Sequence, residues 1–136
     1  MPMYSEIALA HMTQPRNVGP PEGEYLTGQA GEPGDGPWVR LYLRVSEFRG
    51  PGKKSCHIIE KVGYHTYGCP ATIASASAVC ELVTGKSTEA ALEITQEDVL
   101  LALGDLPEGK RDRPYLALAA LKKGIEKIGS KERSPR

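Results

Sequence analysis

Net charge is the first thing this chain of 136 residues lacks: Lys and Arg together number 17, and so do Asp and Glu. With no basic field to attract a polyanion, nucleic-acid binding is not expected. The one local excess, "KKGIEKIGSKERSPR" at the C-terminus, reads as a solvated helix face followed by a disordered tail over 129–136. Cysteine is scarce as well. Three residues, an odd number without paired spacing, argue against a disulfide framework and leave thiols to be judged by their surroundings. No apolar run approaches the roughly 20 residues that span a bilayer. The start "MPMYSEIALAHM" has no charged segment ahead of an apolar core, so a soluble cytoplasmic protein without a membrane partner is expected. Cys-x-x-Cys, His-Glu-x-x-His and Gly-x-Ser-x-Gly are all missing. "TGKS" (Thr84–Ser87) fails as a phosphate loop, because Cys80 stands where the pattern needs its first glycine. No base or second catalytic group accompanies a nucleophile, so an enzyme is not expected.

What is present is ordinary for a globular protein: 40% hydrophobic and 25% charged residues. At this length one domain is expected, with its core over about residues 4–128. A short helix is predicted over Tyr4–His11, ended by Pro15, with Ile7 and Ala8 or Ala10 and His11 sharing a face. From Pro15 to Pro37, 11 of 23 residues are Gly or Pro, so turns dominate, with one short strand around Tyr25–Gln29. "WVRLYLRV" (Trp38–Val45) alternates, placing Val39, Leu41, Leu43 and Val45 on one buried face. "EFRGPGKKS" is a turn around Gly50-Pro51-Gly52, and "CHIIEKVGYHTY" is the returning strand of an antiparallel hairpin.

After Gly68 the period becomes helical. Ile73, Ala76, Val79, Cys80 and Val83 make one stripe, and Gly85 closes the helix. A short helix begins near Ser87. Another runs from the N-cap Thr95 to Gly104, and a last one follows Pro114 with Leu118, Leu121, Ile125 and Ile128 as its apolar stripe. Strands first and helices after, without βαβ alternation, indicate an α+β layered domain.

The three cysteines differ in their settings. Cys80 lies on the apolar helical stripe and reads as a core residue. Cys56 and His57 adjoin the hairpin turn on opposite strand faces, where one metal cannot easily take both, and surface placement is expected. Cys69 follows a strand and opens a helix, where backbone N–H groups and the helix dipole favour a thiolate. His65, four residues earlier, shares its face if the strand is regular.

Four stretches carry a resemblance: "YSEIALAHMTQPRNVGP", "PGDGPWVRLYLRV", "IIEKVGYHTYGCPATIASASAVCELVTGKS" and "LPEGKRDRPYLALAALKKGIEKI". In order and spacing they resemble the NifU/IscU-type iron–sulfur cluster assembly scaffold family, from about Tyr4 to Ile128. The resemblance implies a three-stranded antiparallel sheet with helices packed on one side. It also implies an iron–sulfur cluster as cargo, a cysteine desulfurase as sulfur donor, and recipient apo-proteins. Of the family's site, the second cysteine matches Cys69 and the aspartate matches Asp35. The first cysteine falls on Pro33. The histidine falls on Asp112 and the third cysteine on Arg113. The family's chaperone-docking Leu-Pro-Pro-Val-Lys is "LPEGK" here, keeping Leu106, Pro107 and Lys110.

Proline has no side-chain donor, and arginine stays cationic and repels metal. One thiolate with carboxylates is a poor cradle for a cluster that usually takes four thiolate-type ligands. Three arrangements are open on the residues. A cluster site recruits His65, Asp112 or a partner's donor. A zinc site uses Asp35, Cys69, Asp112 and His65. A third arrangement holds no metal and makes the chain a non-cluster interaction module or a single-thiol acceptor of persulfide sulfur on the same fold. In it Asp35, Cys69 and Arg113 converge, and Arg113 pairs Asp35 while stabilising the Cys69 thiolate.

Overall fold

A computed structural model describes residues 4–13, 18–49 and 55–129. Three strands, β1 (Leu26–Ala30), β2 (Trp38–Arg49) and β3 (Ser55–Tyr67), form an antiparallel meander in the order β1-β2-β3. The fold is therefore α+β, as expected. Five α-helices accompany the sheet: α1 (Glu6–Thr13), α2 (Pro70–Val83), α3 (Thr88–Leu92), α4 (Gln96–Leu103) and α5 (Pro114–Glu126). Within the sheet Leu41 sits opposite Gly28 on one side and Tyr64 on the other, which sets the register of all three strands.

The alternation of β2 is used as the pattern predicts. Val39, Leu41 and Leu43 are fully buried under the helices, with Val62 and Tyr64 of β3 beside them. A register shift between Arg44 and Val45 interrupts the ladder, and Val45 is only partly buried. Both strands run further than expected. Glu47 to Arg49 and Ser55, read from the sequence as turn, continue the backbone ladder across the hairpin. The turn itself, Gly50-Pro51-Gly52, lies outside the described residues, as does Pro15.

The free edge of β3 is covered at two places. Gly19 N–H donates to the Tyr64 carbonyl (2.8 Å), and Gly85 N–H donates to the Ile59 carbonyl (2.7 Å) while Ile59 N–H donates to Lys86 (2.9 Å). The "TGKS" stretch is thus a backbone edge pairing that satisfies a strand which would otherwise stand open.

α2 corrects the single-stripe expectation. Ala71, Ala74, Ser75, Ala76, Ser77 and Ala78 are buried along with Val79, Cys80 and Val83, while Ile73 is only half-buried. The helix is enclosed nearly all round because β3, α1, α4 and α5 all pack on it. Small side chains permit that enclosure. The buried serines of α2 find partners within and beyond the helix: Ser75 Oγ donates to the Ala71 carbonyl (2.7 Å), and Ser77 Oγ is 2.6 Å from His11 Nδ1 of α1. α1 starts two residues later than predicted because Ser5 Oγ accepts from Ala8 N–H (2.9 Å) as its cap. Ser5 also donates to the Leu103 carbonyl, tying α1 to α4.

α4 follows its sequence closely. Thr95 and Asp98 form a reciprocal capping box, and Gly104 ends the helix at φ 74° in the left-handed region. The stripe of α5 is shifted. Ala117, Ala120, Leu121, Gly124 and Ile125 are buried, whereas Leu118 and Ile128 are only partly so. Close approach to β1 selects the smaller set: a Cβ on Gly28 would stand 2.1 Å from the Ala120 carbonyl oxygen and 2.4 Å from the Gly124 nitrogen.

Candidate functional site

β3 ends at Tyr67, and Gly68 turns the chain onto α2. A side chain at that glycine would meet the Thr72 side chain at 3.0 Å, so the turn is tight enough to need glycine. Cys69 is the N-cap residue of α2 in extended conformation. Its carbonyl accepts from Thr72 N–H (2.9 Å) and Ile73 N–H (3.1 Å), which anchors the first turn. Its sulfur makes no cap bond and instead lies 3.6 Å from Thr72 Oγ1. The thiol is half-buried at the wall of a cavity of about 680 Å³.

Arg113 faces it from the start of α5. Its backbone N–H closes a turn on the Lys110 carbonyl (3.1 Å), and the buried Pro114 follows. The guanidinium donates to Asp112 Oδ1 at 2.6 Å. A hydrogen bond to Cys69 raises its pKa above the usual arginine value, with Asp112 adding to the effect. The cavity is completed by Pro37, Tyr67, Gln96, Tyr115 and Leu116.

Four groups decide the state of the Cys69 thiol. Burial pushes its pKa up. Against that act the Thr72 hydroxyl, the Thr72 N–H, the Arg113 guanidinium and the Ala71 N–H, and the balance lowers it from 9.0 to about 7. Near neutral pH roughly half of such thiols are thiolate. Cys80 behaves oppositely. Fully buried on α2, its thiol is pushed far up by desolvation, with Glu81 adding to the effect. It is an inert core residue.

Of the residues singled out in the sequence, the structure brings Cys69, Asp112 and Arg113 together around the cavity. Asp35 is not among the residues that line it. Asp35 lies exposed in the β1–β2 turn, its N–H donating to Glu32 (2.9 Å). The expected Arg113–Asp35 pair gives way to Arg113–Asp112, because adjacent residues at the helix start reach each other first. His65 is not at the cavity either. It pairs with Arg40 across the sheet, on the face away from the helices, where its Nδ1 is 2.7 Å from Tyr42 Oη. The turn at Gly68 breaks the strand periodicity that would have aligned it with Cys69. His57 is half-buried on β3, and the side chain of Cys56 lies outside the described residues.

Thr72, Gln96, Tyr67 and Tyr115 are cavity residues that the sequence reading missed. Thr72 had a usable signal, since it stands three residues after an N-cap thiol on the same helix face. Gln96 and Tyr115 come from other helices and had none. In "LPEGK", Leu106 is buried while Glu108 and Gly109 are exposed, and Lys110 N–H donates to Pro107 (2.8 Å), forming the turn that delivers Asp112 and Arg113.

The donor set fits a metal centre poorly. Among the described residues no three His, Cys, Asp or Glu side chains gather closely enough to hold an ion. Cys69 and Asp112 are the two ligating groups on the cavity wall, and a permanent cation stands with them. The zinc arrangement of Asp35, Cys69, Asp112 and His65 is not assembled among the described residues, since Asp35 and His65 are not among those that line the cavity. No helix among the described residues is long and apolar enough to cross a membrane.

The profile of the family described as NifU-like N terminal domain matches residues 3–134. The chain is 37% identical over 123 residues to the iron-sulfur cluster assembly scaffold protein IscU 1 of Archaeoglobus fulgidus, covering 90% of this chain and 74% of that one. Identity to the iron-sulfur cluster assembly scaffold protein IscU of Aquifex aeolicus is 34%, with the same 90% and 74% coverage. The crystal structure of a nitrogen-fixing NifU-like protein (N-terminal) from Brucella abortus aligns with a TM-score of 0.63. That alignment covers 93% of this chain and 94% of the other at 16% identity, a likeness of fold.

Proposed function

The chain belongs to the NifU-like N-terminal domain family, and on that premise we propose that it serves iron–sulfur cluster assembly as a scaffold-type protein whose working group is the Cys69 thiolate. It acts without catalysing a reaction of its own, in the cytoplasm, between a cysteine desulfurase that supplies sulfur and apo-proteins that receive it. The observation that carries this reading is the setting of Cys69. A thiol at a helix N-terminus, held by Thr72 and Arg113 at about 7, faces an open cavity on a scaffold fold.

The chemistry follows from thiolate exchange. The Cys69 thiolate attacks the outer sulfur of a donor persulfide. A sulfur–sulfur bond forms to Cys69, the donor's sulfur–sulfur bond breaks, and the donor leaves as a thiolate. The outer sulfur keeps its proton and no net electron is gained or lost. Arg113 steadies the attacking thiolate and then faces the transferred sulfur, while Thr72 keeps Sγ directed at the cavity.

The test is sulfur transfer from a cysteine desulfurase supplied with cysteine, read by mass spectrometry of the Cys69 peptide. A gain of one sulfur atom on that peptide is expected in the wild type, with none at the same peptide in Cys69→Ser. Equal total sulfur uptake by wild type and Cys69→Ser would refute the reading.

A further inference from the structure

We infer that Arg113 closes this cavity to cations, so that a chain of this protein carries sulfur on Cys69 but holds no iron–sulfur cluster by itself. The inference rests on the reading of Cys69 as the working thiol and adds what the cavity refuses.

The donor count gives the first argument. Iron–sulfur clusters are held by about four thiolate-type ligands. This cavity presents one sulfur and one carboxylate, from Cys69 and Asp112. Asp35 is not on its wall, and His65 lies on the opposite face of the sheet with a ring nitrogen bonded to Tyr42. Cys80 is fully buried three helical turns along α2. Among the described residues no third donor stands near the pair.

Charge gives the second argument, and it is independent of the count. The guanidinium donates to Asp112 and lines the same cavity wall as the Cys69 thiol, so its charge stands beside both ligating groups. It therefore places a fixed positive charge where an incoming iron would have to sit. Arginine does not deprotonate in proteins, so no change of pH vacates that position. Its backbone is fixed by the turn to Lys110 and by the buried Pro114. A cation entering must displace one already in place. A sulfur atom added to Cys69 meets the same charge favourably, because a persulfide is readily anionic.

The experiment compares wild type, Cys69→Ser, Arg113→Ala and Arg113→Cys. Each is incubated anaerobically with ferrous iron and sulfide, desalted, and assayed for bound iron and visible charge-transfer absorbance. In parallel each is treated with cysteine persulfide and its Cys69 peptide weighed. Circular dichroism confirms that each variant is folded. The wild type is expected to stay colourless while its Cys69 gains sulfur. Arg113→Cys, which removes the charge and adds a donor, is expected to bind several-fold more iron than the wild type. Arg113→Ala, which removes the charge alone, is expected to gain weaker iron binding without the cluster absorbance. A wild-type cluster that disappears in Cys69→Ser overturns the inference and leaves the assembly reading standing. A folded Arg113→Cys with no more iron than wild type also overturns it. Failure of wild-type Cys69 to take sulfur from the persulfide sinks the assembly reading itself.

Discussion

Replacing Arg113 by Ala removes one of the four groups that hold the Cys69 thiol at about 7 instead of 9.0. The size of the effect follows from their order. Burial works against the thiolate, and the Thr72 hydroxyl is the strongest of the groups that offset it, followed by the Thr72 N–H, then Arg113, then the Ala71 N–H. Arg113 is therefore responsible for part of the lowering. Its loss should raise the midpoint by about half a unit to one unit. At pH 7 the thiolate fraction would fall from about one half to roughly one tenth to one quarter. Iodoacetamide alkylation, followed on the Cys69 peptide by mass spectrometry across pH, reads this directly. The pH of half-maximal rate is the quantity to compare. The alkaline plateau should rise slightly in the variant, because a more basic thiolate is the better nucleophile. Thr72→Val should shift the midpoint further than Arg113→Ala does, and Thr72→Ser should restore most of it. An unchanged midpoint in Arg113→Ala would mean that the guanidinium does not act on the sulfur, and the electrostatic account of the site would fall with it.

Gly28→Ala should cost about 3 kcal/mol or more of stability, because the new methyl meets the backbone of α5 rather than a side chain that can move aside. Urea unfolding decides the matter, and a loss below about 1 kcal/mol would show that β1 and α5 are not in such close contact. Thr95→Ala removes the capping box of α4 and should cost about 1 kcal/mol, again by urea midpoint. The two described thiols should give stability opposite dependences on pH. Cys69 ionises more readily folded than unfolded, so its contribution is complete above about pH 9 and is lost as pH falls through about 7. Cys69→Ser should flatten the rise in stability over that window. Cys80 is held protonated by burial, so its contribution drains away as pH climbs past about 9 and the unfolded chain ionises. Cys80→Ala should soften that alkaline decline.

Much of the fold was legible because the signals are local. The alternation of Val39, Leu41 and Leu43 depends on a two-residue period, and the start and stop of α4 depend on Thr95, Asp98 and Gly104 within one or two turns of the helix ends. Cys69 at the entrance to α2 was equally plain, since a glycine, a thiol and a proline in succession at a change of period mark a helix start. What the local pattern misjudged was extent. The stripe of α2 looked one-sided because neighbouring residues cannot say how many elements will pack around a helix. The α5 stripe slipped because Gly28, some 90 positions earlier, decides how closely that helix lies against β1.

Read alone, the chain determined three antiparallel strands, the helices that follow them, and a thiol at the mouth of α2. It put Asp35 first to stand beside that thiol, with Asp112 and His65 as further donors and Arg113 as a charge in place of a lost ligand. Only the packing of α5 against the sheet chose among them, bringing Arg113 and Asp112 to Cys69 while the Gly68 turn left His65 on the far face and Asp35 stayed out in its loop. The reason is physical. Hydrogen-bond periodicity and capping are settled between residues a few positions apart, whereas the meeting of two helix N-termini more than 40 residues apart depends on how whole faces bury one another.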